Sequence, residues 1–214
     1  MHCAVNLDTK GNVSKDSIDA GLDRARDDAE ILELYAHNPG GTVKLDVLEH
    51  VLAGAAARGL PFVTYADFAH GDARGPGLAL SFDDTSVRAW HAALPLFASY
   101  DARVTFFISR YAALYDEERA LVTELAAAGH DIAAHSVNHV NGPQFVEQHG
   151  LGAYLETEVW PSLDALEADG HDVTSFAYPF GARTSEIDDA IRRRVPVLRS
   201  VEFTYSGVVS PCPD

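Results

Sequence analysis

The sequence is poor in positive charge. Its 214 residues hold 16 lysines and arginines against 32 aspartates and glutamates, a net charge of −16 with histidine neutral. That balance argues against nucleic acid and against anionic membrane as partners, because phosphate-bearing surfaces would repel the chain. Neutral substrates remain open. Cysteine is scarce as well: only Cys3 and Cys212, near opposite ends. With no C-x-x-C pair, cysteine-based zinc or redox chemistry is disfavoured. Chain ends often lie close together, so a Cys3–Cys212 disulfide is one reading and two unrelated thiols the other. No apolar run is long enough to span a bilayer. Met1-His2-Cys3 leads at once into polar sequence, without the apolar stretch of a signal peptide.

What is present suits one domain. The chain is 47% apolar and long enough for a real core. It shows no internal repeat, low-complexity segment or linker. Residues 1–15 are polar and read as an irregular arm, followed by a helix over 16–29. The first 30 residues are thus set apart as an arm and helix, and residues 31–214 as the functional domain. From there strands and helices alternate. Strands are expected at 31–36, 62–65, 78–82, 104–108, 131–134, 173–178 and 197–203. Helices are expected at 44–57, 86–99, 116–128, 152–168 and 184–194. Seven strands, most of them separated by helices, predict a parallel sheet with helices outside, either open or closed into a barrel.

In either form the chemistry should lie beyond the C-terminal strand ends, and the polar residues obey this. Asp83 and Asp84 follow residues 78–82. His135 follows 131–134, with His139 four residues on. His37 follows 31–36, and Pro179-Phe180-Gly181 follows 173–178. One carboxylate and two imidazoles can hold a metal, leaving a second carboxylate as a base. That is the minimum set for metal-assisted hydrolysis. Singly these features have plainer explanations. Adjacent aspartates after a strand often cap a helix, a histidine pair is more often structural, and His37 before Asn-Pro-Gly is most simply a loop residue. Their joint placement favours chemistry.

The residues resemble the polysaccharide deacetylases with a NodB-homology domain, carbohydrate esterase family 4. Ser81-Phe82-Asp83-Asp84-Thr85 is similar to the family's T-F-D-D-G, and His135-Ser136-Val137-Asn138-His139 to its H-S/T-x-x-H. The resemblance runs over roughly residues 31–203. It implies a single-domain distorted (β/α) barrel of about seven mostly parallel strands. It also implies Asp83 as general base, and Asp84, His135 and His139 as ligands of a divalent metal, commonly zinc, with cobalt or nickel as alternatives.

The family's R-x-P-Y motif is only partly present, in Ala177-Tyr178-Pro179-Phe180-Gly181. The Phe180 backbone N–H can still donate to an oxyanion, since that donor is independent of the side chain. The arginine that orients the catalytic aspartate is missing. Arg199 is the first candidate to replace it and Arg183 the second. The D-x-x-D-W motif is not found. The late L-x-H motif has no C-terminal match, but Tyr35-Ala36-His37 fits it from the N-terminal side, as in a permuted branch. His37 would then be the general acid.

The reaction implied is removal of N-acetyl groups from an amino-sugar polymer: chitin-like, peptidoglycan or a glucosamine polymer. Such a substrate favours an extracytoplasmic or cell-envelope location. The alternatives are a hydrolase of O-acetyl esters or non-sugar amides, and a catalytically silent carbohydrate-binding relative. Asp188-Asp189 is expected to be a solvated helix face. Tyr154 and Trp160 are expected in the core rather than in a sugar subsite.

Overall fold

A computed structural model of the protein describes residues 1–202. Seven parallel strands close into a barrel in chain order. They are β1 (His2–Asn6), β2 (Ile31–Ala36), β3 (Gly77–Asp84), β4 (Thr105–Ile108), β5 (Asp131–Ala134), β6 (Ser175–Ala177) and β7 (Val197–Val201). β1 completes the ring, pairing with β2 through Val5 and Leu34 and with β7 through Cys3 and Ser200. Two expectations are corrected here. Residues 1–15 are not an irregular arm, because the first strand of the barrel lies within them. Residues 62–65 are not a strand: only Phe62 bridges to Leu78. Thr64 caps the short helix α3 (Tyr65–His70), bonding reciprocally with Asp67. The Thr-x-x-Asp spacing is a capping-box pattern, and it outweighs the β-prone composition of the segment. The expected extension of the last strand to residue 203, and the question of a Cys3–Cys212 pair, reach outside the described residues.

Helices α1 (Lys15–Asp27) and α2 (Leu45–Ala57) cover one side of the barrel. Leu48, Val51, Leu52 and Ala55 of α2 are buried, whereas Leu45 in its first turn is exposed. The helix expected over 86–99 is broken into α4 (Val87–Ala92) and α5 (Leu94–Ser99). Pro95 stands at the start of α5, where its missing N–H costs nothing. Beyond them lie α6 (Asp116–Ala127), α7 (Gly142–His149), α8 (Leu151–Tyr154), α9 (Trp160–Ala168) and α10 (Ser185–Ile191).

Strands buried on both faces read as near-continuous apolar runs. Leu32, Leu34 and Ala36 of β2 pack outward in the main core, together with the Phe82, Trp90, Phe97 and Phe106 rings. Residues of the other parity fill the barrel. Tyr35 packs with Ala4 and Val201. Tyr65 of α3 enters among Phe107, Ala133, Ala177 and Val197. The Tyr65 and Ala66 N–H groups bond Thr105 and Asp131, where β4 and β5 begin. Helix α3 therefore plugs the N-terminal end, and the opposite rim is left for polar groups. No helix among the described residues is long and apolar enough to cross a membrane.

Candidate active site

Parallel register sets the rim. Ala36 pairs with Phe82, and Asp83 pairs with Phe107. His37 and Asp83 are therefore neighbours at the ends of β2 and β3. Asp83 points into the barrel and is 3% exposed. Asp84 would ordinarily face away from it, but its φ of 81° departs from strand geometry and turns its carboxylate to the same rim. His135 follows β5, buried, and its Nδ1 donates to the Ala177 carbonyl at 2.8 Å. That bond fixes the tautomer with Nε2 free. Nε2 lies 3.7 Å from Asp84 Oδ1, and His139 Nε2 lies 3.2 Å from the same oxygen. One ligand atom from each of the three residues lies within 4.8 Å of the others.

This donor set fits a divalent ion: one carboxylate and two imidazoles, with room left for further ligands. Burial pushes the His135 imidazole down to about 4, so it is neutral and able to ligate at ordinary pH. Ser136 Oγ accepts the His139 N–H at 3.0 Å and ties the loop back on itself.

Arg199, fully buried on β7, donates to the Asp83 carboxylate. Its guanidinium lies 5.0 Å from the Tyr35 ring centre and 4.9 Å from that of Phe107, so two aromatic faces share its charge. Burial by itself would raise the Asp83 carboxyl. Arg199, with His135 and His37, outweighs that and holds it below the ordinary range. Of the two arginines named from the sequence, Arg199 is the one in contact with Asp83. Arg183, the other candidate, binds Asp188 instead. Asp188 is not on a solvated face: it is 2% exposed and also accepts from Tyr178. Tyr154 is fully buried, and Trp160 lies beneath Arg194.

His37 lies across from the histidine pair, with Nε2 3.9 Å from Asp84 Oδ2. Its Nδ1 pairs with Asp8, a residue that stands in no motif of the sequence. Asp8 is buried just beyond β1 and also accepts from Thr42 Oγ1 at 2.7 Å and from the His37 N–H at 3.2 Å. The Asn38–Thr42 loop folds tightly to bring Thr42 there; a Cβ on Gly41 would meet Asn38 Cγ at 2.7 Å. Trp90 Nε1 donates to the His37 carbonyl at 2.6 Å. Burial lowers the His37 imidazole, but Asp8, with Asp83 and Asp84, overcomes this and raises it above its usual value. The missed signal was positional, a carboxylate three residues after the short apolar run Cys3-Ala4-Val5. It became legible only once that run proved to be a strand.

Phe180 sits at φ 59° in the Pro179–Gly181 turn after β6. Its ring lies 4.7 Å from that of His139. The turn is held by Ser200 Oγ, which donates to the Gly181 carbonyl at 2.7 Å. Gly181 has φ 66°, and a Cβ there would meet Val201 Cγ2 at 2.5 Å. The groups open on a cavity of about 510 Å³ whose wall includes His37, Asp83, Asp84, His135, His139 and Phe180.

A sequence model of the polysaccharide deacetylase family matches residues 70–194. The chain belongs to the polysaccharide deacetylase family. The match covers both aspartates, both rim histidines and Phe180, whereas Asp8, His37 and Arg199 stand outside it. No curated protein matches by sequence. Among solved structures, the BpsB deacetylase domain of Bordetella bronchiseptica superposes with a TM-score of 0.55 at 13% identity, covering 72% of this chain and 83% of that one. IcaB from Ammonifex degensii gives 0.53 at 16%, covering 95% and 90%. The Streptococcus pyogenes deacetylase PplD, in complex with acetate, gives 0.50 at 18%, covering 88% and 80%. At such identities the likeness is one of fold. This deacetylase family member shares their architecture, and its chemistry rests on its own rim.

Proposed function

We propose that the protein is a metal-dependent deacetylase removing N-acetyl groups from an amino-sugar polymer. One observation carries the reading: a three-ligand set stands between the buried Asp83–Arg199 pair and the Asp8–His37 pair. A divalent ion held by Asp84, His135 and His139, zinc in the first instance and cobalt or nickel as substitutes, would polarise the acetyl carbonyl and acidify water. The chain's own groups do the rest. Asp83, ionised and oriented by Arg199, takes a proton from the attacking water. The Phe180 N–H donates to the oxygen on which charge develops. Protonated His37, steadied by Asp8 through Nδ1, gives its Nε2 proton to the departing nitrogen. Tyr35-Ala36-His37 thus takes the part of the family's late motif from an N-terminal position, and Arg199 the part of the absent motif arginine. A polymeric substrate of this class places the action at the cell envelope or outside the cytoplasm.

The test is direct. Purified protein should contain or bind zinc, cobalt or nickel, gain melting temperature on doing so, and release acetate from N-acetylglucosamine oligomers. Chelation should abolish that release, and metal should restore it. Protein that binds none of the three ions and releases no acetate is not this enzyme.

Asp8 gives a sharper expectation. With Asp8→Asn the imidazole loses the partner that raises its pKa, so His37 deprotonates at lower pH. The alkaline limb of the kcat/KM profile should move toward acid, while the acid limb, set by Asp83, stays in place. An unmoved alkaline limb would remove His37 from the acid role.

A further inference from the structure

The helix expected over residues 152–168 leaves α geometry in the middle. Over Leu155–Val159 it widens into a π turn, and the Trp160 N–H donates to the Leu155 carbonyl five residues back. Pro161 supplies a cause. It has no N–H for the carbonyl of residue 157, and its ring would press on that group in a regular helix. The wide turn adds one residue to the helix and shifts its phase. Glu158 and Val159 of this turn are both buried, at 2% and 0% exposure. The flanking Glu156 and Thr157 are exposed.

Val159 packs into the main core. Glu158 meets the loop between the two rim histidines. Its Oε2 accepts the Asn138 backbone N–H at 2.8 Å, and its Oε1 accepts from Asn138 Nδ2 at 2.7 Å. Its own carbonyl accepts the Val137 N–H at 3.0 Å. Three bonds thereby grip the two residues that precede His139. The loop needs gripping: Ser136 and His139 stand at φ 64° and 58°, conformations that non-glycine residues keep only when their surroundings enforce them. Buried, charge-assisted bonds to a carboxylate are strong enough to do so.

We propose that Glu158, buried in the widened turn, is a positioning residue for the metal centre, acting through Asn138 to aim His139 at Asp84 and His135. The assignment rests on the metal-dependent reading above. Glu158 touches neither the ligand atoms nor the cavity wall. It resembles in role the outer partners that orient metal ligands, whose loss typically weakens metal binding by about 10- to 100-fold.

The full chain carrying Glu158→Gln, which keeps size and shape, tests this against Glu156→Gln as control. In metal-free protein, amide exchange should speed by about tenfold or more at Val137 and Asn138 and not across the barrel strands. Zinc affinity, read by competition with a chelating dye, should fall by about 10- to 100-fold. The cobalt absorption spectrum should shift toward that of His139→Ala. A merely structural role would lower the melting temperature and leave the cobalt spectrum of the folded protein alone. Should Glu158→Gln not fold, Asn138→Ala removes one of the three bonds and should move zinc affinity in the same direction by less. Wild-type zinc affinity and cobalt spectrum in a folded variant overturn the assignment and leave the metal reading intact. Wild-type protein that binds neither ion overturns both.

Discussion

Replacing His37 with alanine is expected to lower kcat for an N-acetylated sugar oligomer by about 100- to 10,000-fold, the usual contribution of a general acid. The same variant should lose far less activity on an O-acetyl ester. The difference lies in the leaving group. An alkoxide departs more readily than an amine anion, so amide cleavage depends on the proton that His37 delivers and ester cleavage depends on it less. KM should change little, because the proton moves only in the transition state. The imidazole is placed for this by three contacts from separate elements: Asp8 beyond β1, Thr42 through Asp8, and Trp90 of α4 on the His37 carbonyl. Equal losses on amide and ester, measured with oligomers differing only in that linkage, would mean that His37 serves binding or folding rather than proton delivery.

The second large effect is expected from Arg199→Met. Asp83 and Arg199 are 3% and 0% exposed, so removing the guanidinium strands a carboxylate in the barrel. Breaking a buried pair in this way costs about 3–5 kcal/mol. Chemical denaturation of the metal-free protein reads it. The pH dependence gives the mechanism its sign. In the wild type the folded pKa of Asp83 lies below its ordinary value. The pair therefore stabilises fully above about pH 4, the unfolded carboxyl value, and the benefit fades as pH falls through the folded value. In Arg199→Met, burial is no longer offset by the guanidinium and the folded pKa rises. The deficit relative to wild type should then be greatest near neutral pH and shrink on acidification. A deficit that is constant between pH 5 and pH 7.5 would argue against a stranded carboxylate. Asp83→Asn/Arg199→Met should recover much of the stability and none of the activity.

Much of this was legible in the chain. The alternation of strands and helices predicted seven strands, and seven close the barrel. The membership differed by one. The Thr64–Asp67 capping box starts a helix at Tyr65 where a strand was expected over 62–65, and β1 was hidden because Cys3, Ala4 and Val5 are too few to signal a strand on their own. Its pairing with β2 and β7 stabilises it, and pairing between segments this distant leaves no local pattern. The same gap concealed Asp8. Asp188 was misjudged for a related reason: its acidic neighbourhood reads as solvated, yet Tyr178 and Arg183 close over it.

The sequence by itself determined which residue types stand at which strand ends, because β/α alternation and the two Asp and His clusters are local patterns. Proximity in space was left to the tertiary structure. Closure of the barrel by β1 brought Asp8 to His37, and β7 brought Arg199 beneath Asp83. The Leu155–Val159 turn brought Glu158 to the loop that carries His139. The physical reason is common to all three. Each contact joins residues 20 to 116 positions apart, and such contacts are selected by the packing of the whole barrel rather than by any segment's own preference.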